Sequence, residues 1–267
     1  MTLLANGADP HLTDADGNTA LHHAARSSDP GVAALLRDAG ADVNARNHEG
    51  VSPLGSACAA GNWRLARFLL ERGAQTEIAG GQPALLSAAA SDEDDPAGVQ
   101  LLLQHKARVN ARDAVGRSAL HEAAAADHAD ICQVLLAAGA EVNAKAADGR
   151  TPLLDAVHHG AMHALEALLA AGADVRACDA SGATALHLAC SADTPMVDLV
   201  GDLRDLGLDP HALDAHGRSS LELAESAGRW NLVSLLDPRR ALPAAMTDDT
   251  HGESERPPLL LLREGLL

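Results

Sequence analysis

One pattern recurs along almost the whole chain: a glycine returns about every 33 residues and is usually followed by Thr or Ser, then Pro or Ala, then Leu. A period of this length indicates a repeat array, in which each unit packs only against its neighbours. A chain of 267 residues therefore need not form several domains, because a stack grows without enlarging one central core. The glycines are separated by steps of 33, 31, 35, 33, 33 and 35 residues: Gly17, Gly50, Gly81, Gly116, Gly149, Gly182 and Gly217.

Each unit is predicted to be a turn, a helix, a second helix and a glycine stop. In the unit that begins near Gly116, Ser118 is placed to cap the free N–H groups of the first helix. Ile131 and Leu135 follow at helical spacing in the second helix, and Gly139 provides the left-handed residue that ends many helices. We predict full repeats over residues 14–46, 47–77, 78–112, 113–145, 146–178, 179–213 and 214–237.

These residues resemble the ankyrin repeats, whose 33-residue unit carries a Thr-Pro-Leu-His-x-Ala motif. The motif stands here as Thr19-Ala20-Leu21-His22, Ser118-Ala119-Leu120-His121, Thr151-Pro152-Leu153-Leu154 and Thr184-Ala185-Leu186-His187, and the resemblance covers residues 3–237. It implies an all-α dominated repeat solenoid of stacked helix-turn-helix units. Each unit would carry a β-hairpin finger, an inner helix on a concave surface and an outer helix on the convex back.

We predict an array over residues 1–238, made of a half-repeat at 1–13 and seven repeats, followed by a disordered tail over 239–267. The half-repeat favours truncation of a longer protein at Met1, although a native half-repeat start stays open. The Leu-rich end of the tail is either a frayed or vector-derived end or a short docking motif. Extra residues in the third and sixth repeats fall between the two helices, which keeps the fingers in phase.

Composition narrows the classes of partner. The net charge is −17 and the pI is about 5.1, so the average surface repels nucleic acid and anionic membranes. The start of the chain lacks the pattern of a signal peptide, and no apolar run is long enough to cross a bilayer. We therefore predict a soluble cytoplasmic protein. The sequence does not determine the oligomeric state, and a monomer is the expectation.

The sequence shows no arrangement of residues typical of catalysis, so we predict a protein that is not an enzyme and carries neither cofactor nor metal. The glycines that recur are explained by turns and helix ends. The Asp-rich loop at residues 92–95 lacks the spacing of an EF-hand and is interpreted as a solvated charged loop. The histidines and cysteines are assigned structural roles: His22, His121 and His187 at helix starts, and Cys58, Cys132, Cys178 and Cys190 as small core or turn residues.

Histidines also cluster locally, and two tryptophans share one position. His158, His159 and His163 lie close in sequence, but Gly160 separates two helices between them, which argues against a metal site. Trp63 and Trp230 both begin a second helix. Packing on a neighbouring repeat is the favoured interpretation of the two rings, and a binding hot spot is the alternative.

Cations recur at equivalent positions of the predicted fingers, which is unexpected in an acidic protein. We predict that these fingers, with the concave face, bind a partner protein, possibly through an acidic segment of that partner. One alternative is a scaffold or regulatory region of a larger protein that acts by intramolecular contact, and another is an adaptor that uses the C-terminal leucines. The candidate partner-binding residues are Arg46, His48, Glu49, Arg112, Arg117, Lys145, Asp148, Arg150, His158, His159, His216 and Arg218.

Overall fold

The computed structural model describes residues 8–27, 30–192 and 196–240. Within these ranges the chain forms pairs of short helices, and we number the helices so that odd numbers are first helices and even numbers second helices. The first helices are α1 Ala20–His23, α3 Pro53–Ala59, α5 Ala84–Ala89, α7 Ala119–Ala125, α9 Pro152–His159, α11 Ala185–Ser191 and α13 Ser220–Ser226. The second helices are α2 Pro30–Asp38, α4 Trp63–Glu71, α6 Ala97–Gln104, α8 Ala129–Ala137, α10 Met162–Ala170, α12 Val197–Asp205 and α14 Trp230–Leu236.

This alternation confirms the predicted all-α repeat fold. Two short 3-10 turns complete the described elements, Ala24–Arg26 after α1 and Pro238–Arg240 after α14. The extra residues of the third repeat lie between α5 and α6, as predicted. Most of the predicted half-repeat and of the predicted tail lie outside the described residues. Among the described helices, none has both the length and the hydrophobicity needed to cross a bilayer.

The chain divides into two compact units. The first contains residues up to 123 together with 130–141, and the second contains residues 124–129 together with those from 142 onward. In the first unit α3 packs on α1, α4 and α5. In the second unit α9 packs on α10 and α11, α11 packs on α13, and α12 packs on α14. Within each unit, then, a helix contacts its own partner and the equivalent helix of the neighbouring repeat.

Two columns of equivalent residues on the first helices run through the core of each unit. The Leu of the repeat motif is at most 1% exposed in every repeat, and the Ala three positions later is also buried. Because Ala adds only one carbon to the backbone, neighbouring first helices approach closely while Leu supplies most of the buried area. The Leu column is Leu21, Leu54, Leu85, Leu120, Leu153, Leu186 and Leu221.

The fingers differ from the predicted β-hairpins. Within the described residues each finger is closed by at most one antiparallel bridge, as between Arg112 and Ser118 or between Cys178 and Thr184. The fingers are too short to form a ladder of paired residues, so side-chain hydrogen bonds fix their shape instead. The correction extends to Cys178, which is exposed on its finger, whereas Cys58, Cys132 and Cys190 are buried as predicted. Burial raises the pKa of the Cys58 thiol to about 12.

Side-chain bonds join several successive repeats at the base of the fingers. The Asn44 carboxamide oxygen accepts the backbone N–H of Gln75 at 2.8 Å, and the Asn110 oxygen accepts the N–H of Glu141 at 2.9 Å. In the shortened third finger the equivalent residue is Glu77, whose Oε1 accepts the N–H of Arg108 at 2.9 Å. A carboxylate thus replaces the amide at this position and the connection between repeats is retained.

The third repeat contains a second compensation, on its second helix. The helices α4 and α8 carry the large buried residues Leu65 and Ile131 where α6 has Gly98. The ring of Trp63, on the preceding helix, fills that space, because a Cβ added to Gly98 would lie only 2.2 Å from it. The indole Nε1–H also donates to Asp95 at 2.9 Å. Packing on a neighbouring repeat is therefore the role of Trp63.

This pair generates a prediction about stability. We expect Trp63→Ala to lower the free energy of unfolding by about 2 kcal/mol, because it leaves a cavity beside Gly98. Gly98→Leu alone should cost about 1–3 kcal/mol by overpacking against the ring. The double variant should recover much of the loss, since Leu occupies this position elsewhere in the stack. Urea denaturation of the four proteins measures the coupling, and additive losses would contradict the contact.

Candidate functional site

In most of the described fingers, the tip is held by an Asp or Asn three residues before the tip glycine. In the first finger, Asp14 Oδ1 accepts the backbone N–H groups of Asp16 and Asn18 at 2.9 and 2.8 Å. These bonds lower the pKa of Asp14 to about 2, the bond from Asn18 having the largest effect. The tip glycine follows with a positive φ, which side chains rarely permit. The same pair of bonds is made by Asp14, Asn47, Asp113, Asp179 and Asp214.

Sequence reasoning missed this capping position, although the signal was present as an Asp or Asn at a fixed distance from the glycine. Two repeats lack it. Ile78 stands there in the third finger and Ala146 in the fifth. Where the cap is present, the carboxylate or amide is committed to the turn and does not face a partner.

Adjacent fingertips are joined by backbone hydrogen bonds. The N–H two residues before one tip glycine donates to the carbonyl one residue before the preceding tip glycine. In the first unit His48 donates to Asp16 at 2.9 Å, and in the second unit Ala180 donates to Asp148 at 2.8 Å and Ala215 donates to Ser181 at 2.7 Å. These bonds fix the first two fingers side by side in the first unit and the last three fingers side by side in the second unit.

In the first unit the predicted cations lie on these fingers, each beside an acceptor from the same chain. Arg117 Nε donates to Glu122 Oε1 at 2.8 Å, and Arg112 Nη2 donates to Glu141 Oε2 at 3.0 Å. Arg46 Nη1 donates to the carbonyl of Ala79 at 2.9 Å, across the shortened third finger. The positive charge of this surface is therefore partly compensated before any partner binds.

The same holds in the second unit. Arg218 Nη2 lies 2.8 Å from Asp214, and bonds to that carboxylate, first from the backbone of Arg218, lower its pKa to about 2. Arg150 Nη1 lies 3.7 Å from the fully buried Asp155 and its Nε lies 3.7 Å from Asp148. Lys145 is exposed on the finger of that repeat. Arg150 and Arg218 are thus held by carboxylates of the same unit.

The other predicted partner-binding residues lie partly at the fingertips and partly away from them. His48 and Glu49 lie at the second fingertip, and His216 lies at the last one, its Nδ1 3.7 Å from Asp214. His158 and His159 do not flank the fingers, because they end α9, about 12 Å along the helix axis from the finger that precedes it. Their rings make an edge-to-face contact at 5.0 Å, and both side chains are exposed.

Two grooves open on the finger side of the first unit. One, of about 680 Å³, lies over the shortened third finger, between Glu49 on one side and Val115 on the other, with Arg108 and Arg112 on its wall. The other, of about 620 Å³, is acidic. Its carboxylates are Asp14, Asp16, Glu49 and Asp92. The candidate surface therefore combines finger cations with an acidic neighbourhood.

The Asp-rich loop is better explained by helix capping than by solvation or metal binding. Asp94 accepts the N–H groups of Asp130 and Ile131 at 2.9 and 3.0 Å, at the start of α8. Asp95 accepts from Ala97 at the start of α6 and from the indole of Trp63. In the described part of the chain, no three His, Cys, Asp or Glu side chains converge as metal ligands would.

The histidines of the repeat motif have the structural role predicted for them. His22 Nδ1 accepts the backbone N–H of Thr19 at 3.1 Å, and its Nε2 lies 3.0 Å from the carbonyl of Val51 in the next repeat. His187 makes the same pair of contacts, to Thr184 and Arg218. Burial lowers the pKa of His22 below its usual value of 6.5. The ring is therefore neutral and links two successive fingers.

Comparison with known proteins agrees with the repeat architecture. A family model of ankyrin repeats (3 copies) matches residues 1–80 and 75–146, and a second model of ankyrin repeats (many copies) matches residues 153–195. The first model alone covers more than half of the chain.

Curated relatives carry the same repeats inside longer proteins. The B-cell lymphoma 3 protein homolog of Mus musculus is 36% identical over 129 residues, 46% of this chain and 28% of the mouse protein. The Neurogenic locus notch homolog protein 2 of Homo sapiens is 39% identical over 123 residues, 44% of this chain and 5% of the human protein. The chain thus spans less than a third of either relative.

The His22 geometry predicts a dependence of stability on pH. Because the folded state binds a proton at His22 less readily than the unfolded state, acidification through pH 6.5 should favour unfolding. Protonation of Nδ1 also removes the acceptor for the Thr19 N–H. We expect His22→Gln to show a smaller loss of stability between pH 7.5 and 5.5 than the wild type, measured by urea denaturation. An equal loss in both proteins would exclude His22 as the source.

Proposed function

Since the chain belongs to the ankyrin-repeat family, we propose that it is a non-enzymatic module that binds a partner protein through its fingers and the adjoining first helices. The observation that carries the proposal is the recurrence of cations at equivalent finger positions, on fingers whose shape is held by hydrogen bonds. Fingers of fixed shape lose little conformational entropy on binding, which favours recognition of an extended segment. Capping and stacking account for the other polar residues of the fingers, whereas the fold does not require these cations.

The partner segment is proposed to be acidic, although the chain as a whole carries a net charge of −17. The Arg117 side chain is 25% exposed, so a partner carboxylate can reach the guanidinium and share it with Glu122. A guanidinium carries five donors and can bond to more than one carboxylate. The carboxylates of the same chain hold these arginines in place. They also weaken the binding of anions that cannot place a carboxylate at the guanidinium.

The same arrangement supports selectivity against polyanions. Groups such as Glu49 and Asp92 beside the fingers repel a nucleic-acid backbone, which presents regular negative charge along its whole length. A protein segment with a few carboxylates can place them at the cations and present neutral or basic residues elsewhere. We therefore propose a protein partner, with a cytoplasmic location as the accompanying prediction.

The first test is to identify the partner and then change the charge of the finger row. Affinity capture on the full chain, followed by mass spectrometry, supplies the partner. Arg117→Glu should then weaken its binding about tenfold and reduce the salt dependence of binding, with a similar effect for Arg150→Glu. Arg67→Glu, on the exposed side of α4 away from the fingers, is the matched control and should leave the affinity unchanged. Equal affinities for all variants would refute the role of the finger row.

A second prediction concerns a variant that should bind the partner more tightly. Glu122→Gln removes the carboxylate that competes for Arg117, so we expect the partner to bind a few times more tightly. Titration calorimetry with the identified partner measures the change. A loss of affinity in Glu122→Gln would mean that the ion pair itself is part of the surface that the partner recognises.

A further inference from the structure

Three departures from the repeat pattern meet at one place in the first unit. The place is the groove of about 680 Å³ between the second and fourth fingers, which we call the third-finger recess. It is lined by the shortened third finger, residues 78–83, and by Arg108, Arg112 and Val115, among others. All of these residues belong to the first unit. Together the three departures set the shape, the polarity and the charge of a single surface.

The first departure is the shortened finger, which leaves space beside the fourth finger. Gly80 and Gly81 form its tip and have no side chains. The finger lies close against the second one: a Cβ on Gly81 would be 2.8 Å from the carbonyl oxygen of Gly50, and the N–H of Gln82 donates to that oxygen at 3.0 Å. Among the described residues, no backbone hydrogen bond joins the third finger to the fourth. The recess therefore opens between a tip without side chains and the finger that follows it.

The second departure is Val115, at the tip of the fourth finger. The residue before the tip glycine is Asp, Glu, Ser or His in five fingers and Gly in the third, so Val115 is the only apolar side chain at this position. It is 55% exposed, although an apolar side chain is stabilised by burial. Asp113 holds the turn by accepting the N–H of Val115 at 3.0 Å. A turn of fixed shape thus presents an apolar side chain to the recess.

The third departure is Arg108, which is absent from the candidates chosen from the sequence. Its side chain is 74% exposed, and its Nε lies 3.7 Å from Glu77 Oε2. The equivalent position is acidic in five other repeats and carries Gln in one, so Arg108 reverses the usual charge at this place. The equivalent residues are Asp9, Asp42, Gln75, Glu141, Asp174 and Asp209.

The carboxylates beside the recess leave its positive charge on the side of the fourth finger. Glu77 Oε1 is occupied by the backbone N–H of Arg108 at 2.9 Å, and Asp113 Oδ1 is occupied by the turn of the fourth finger. Glu49 lies at the opposite rim, on the second finger. A partner carboxylate is therefore favoured on the fourth-finger side, where it can reach two guanidinium groups.

We propose that the third-finger recess receives a large apolar side chain of the partner segment, such as leucine, while carboxylates next to that side chain bind Arg108 and Arg112. The volume of about 680 Å³ lies within the range of roughly 300–1,000 Å³ typical of ligand pockets, so the recess has room for a large side chain and its flanking backbone. Val115 supplies the apolar contact, and the two arginines supply charge complementarity. The inference rests on the proposed function and adds an apolar anchor to the acidic segment.

Fluorescence anisotropy of the full chain with labelled synthetic peptides tests the recess directly. The first probe has one leucine followed by two glutamates in a Gly-Ser frame, the second has alanine in place of the leucine, and each is also made in the reverse order. We expect the leucine probe in at least one order to bind at least about tenfold more tightly than its alanine counterpart, because the leucine side chain becomes buried. Equal affinities, or no binding of either leucine probe up to about 1 mM, would overturn the proposal.

Two variants introduce residues that the chain itself uses at the same position of another repeat, so we expect both to fold. Val115→Ser, with the residue found at Ser181, should remove most of the preference for leucine over alanine. Arg108→Gln, with the residue found at Gln75, should weaken both probes about threefold and leave the preference unchanged. Val32→Ser changes an exposed valine of the same unit outside the recess and should bind like the wild type. A preference that persists in Val115→Ser would contradict the proposed contact.

Exchanging the two glutamates of the leucine probe for lysines tests the charge of the recess. We expect the lysine probe to bind at least about tenfold more weakly than the glutamate probe, because the two arginines repel it. Binding that is as tight or tighter would mean that Glu49 and Glu77 determine the charge of the recess, and it would overturn the proposal.

The captured partner separates this inference from the proposed function. If both hold, Val115→Ser and Arg117→Glu each weaken binding of the partner about tenfold. Weaker binding in Arg117→Glu alone would keep the finger cations as the binding surface and would overturn the apolar anchor. Weaker binding in Val115→Ser alone would support the recess and would refute the role of the finger row.

Discussion

The structure depends on one constraint: no repeat can bury its own apolar surface. A first helix of seven residues exposes its Leu and Ala columns unless the neighbouring repeat covers them, and isolated helices of this length are unstable in water. The buried Leu column therefore exists only as a property of the stack. Every other regular feature, from the tip bonds to the His22 link with the next finger, fixes the position of one repeat on the next.

This constraint explains why the fold could be predicted and the surface could not. The Leu of the motif must recur, because each copy meets the same neighbour, and the period is visible in the sequence. The constraint that each repeat meets the same neighbour does not fix the acceptors of Arg117 and Arg112. Arg117 pairs with a residue of its own first helix, whereas Arg112 pairs with Glu141 on the following finger. No spacing rule in the sequence distinguishes the two cases. The ion-pair partners of the finger arginines could therefore be identified only from the structure.

The third repeat shows how a stack tolerates irregular units. Its finger is shortened, it has Glu77 where Asn44 and Asn110 stand on the neighbouring fingers, and its second helix has Gly98 where α4 and α8 have a large residue. In the sequence these are three separate departures. The structure shows that Glu77 keeps the bond to the following finger and that a ring from the preceding repeat fills the space at Gly98. Such compensations join residues about 30 positions apart at non-equivalent sites, which is why a repeat alignment does not reveal them.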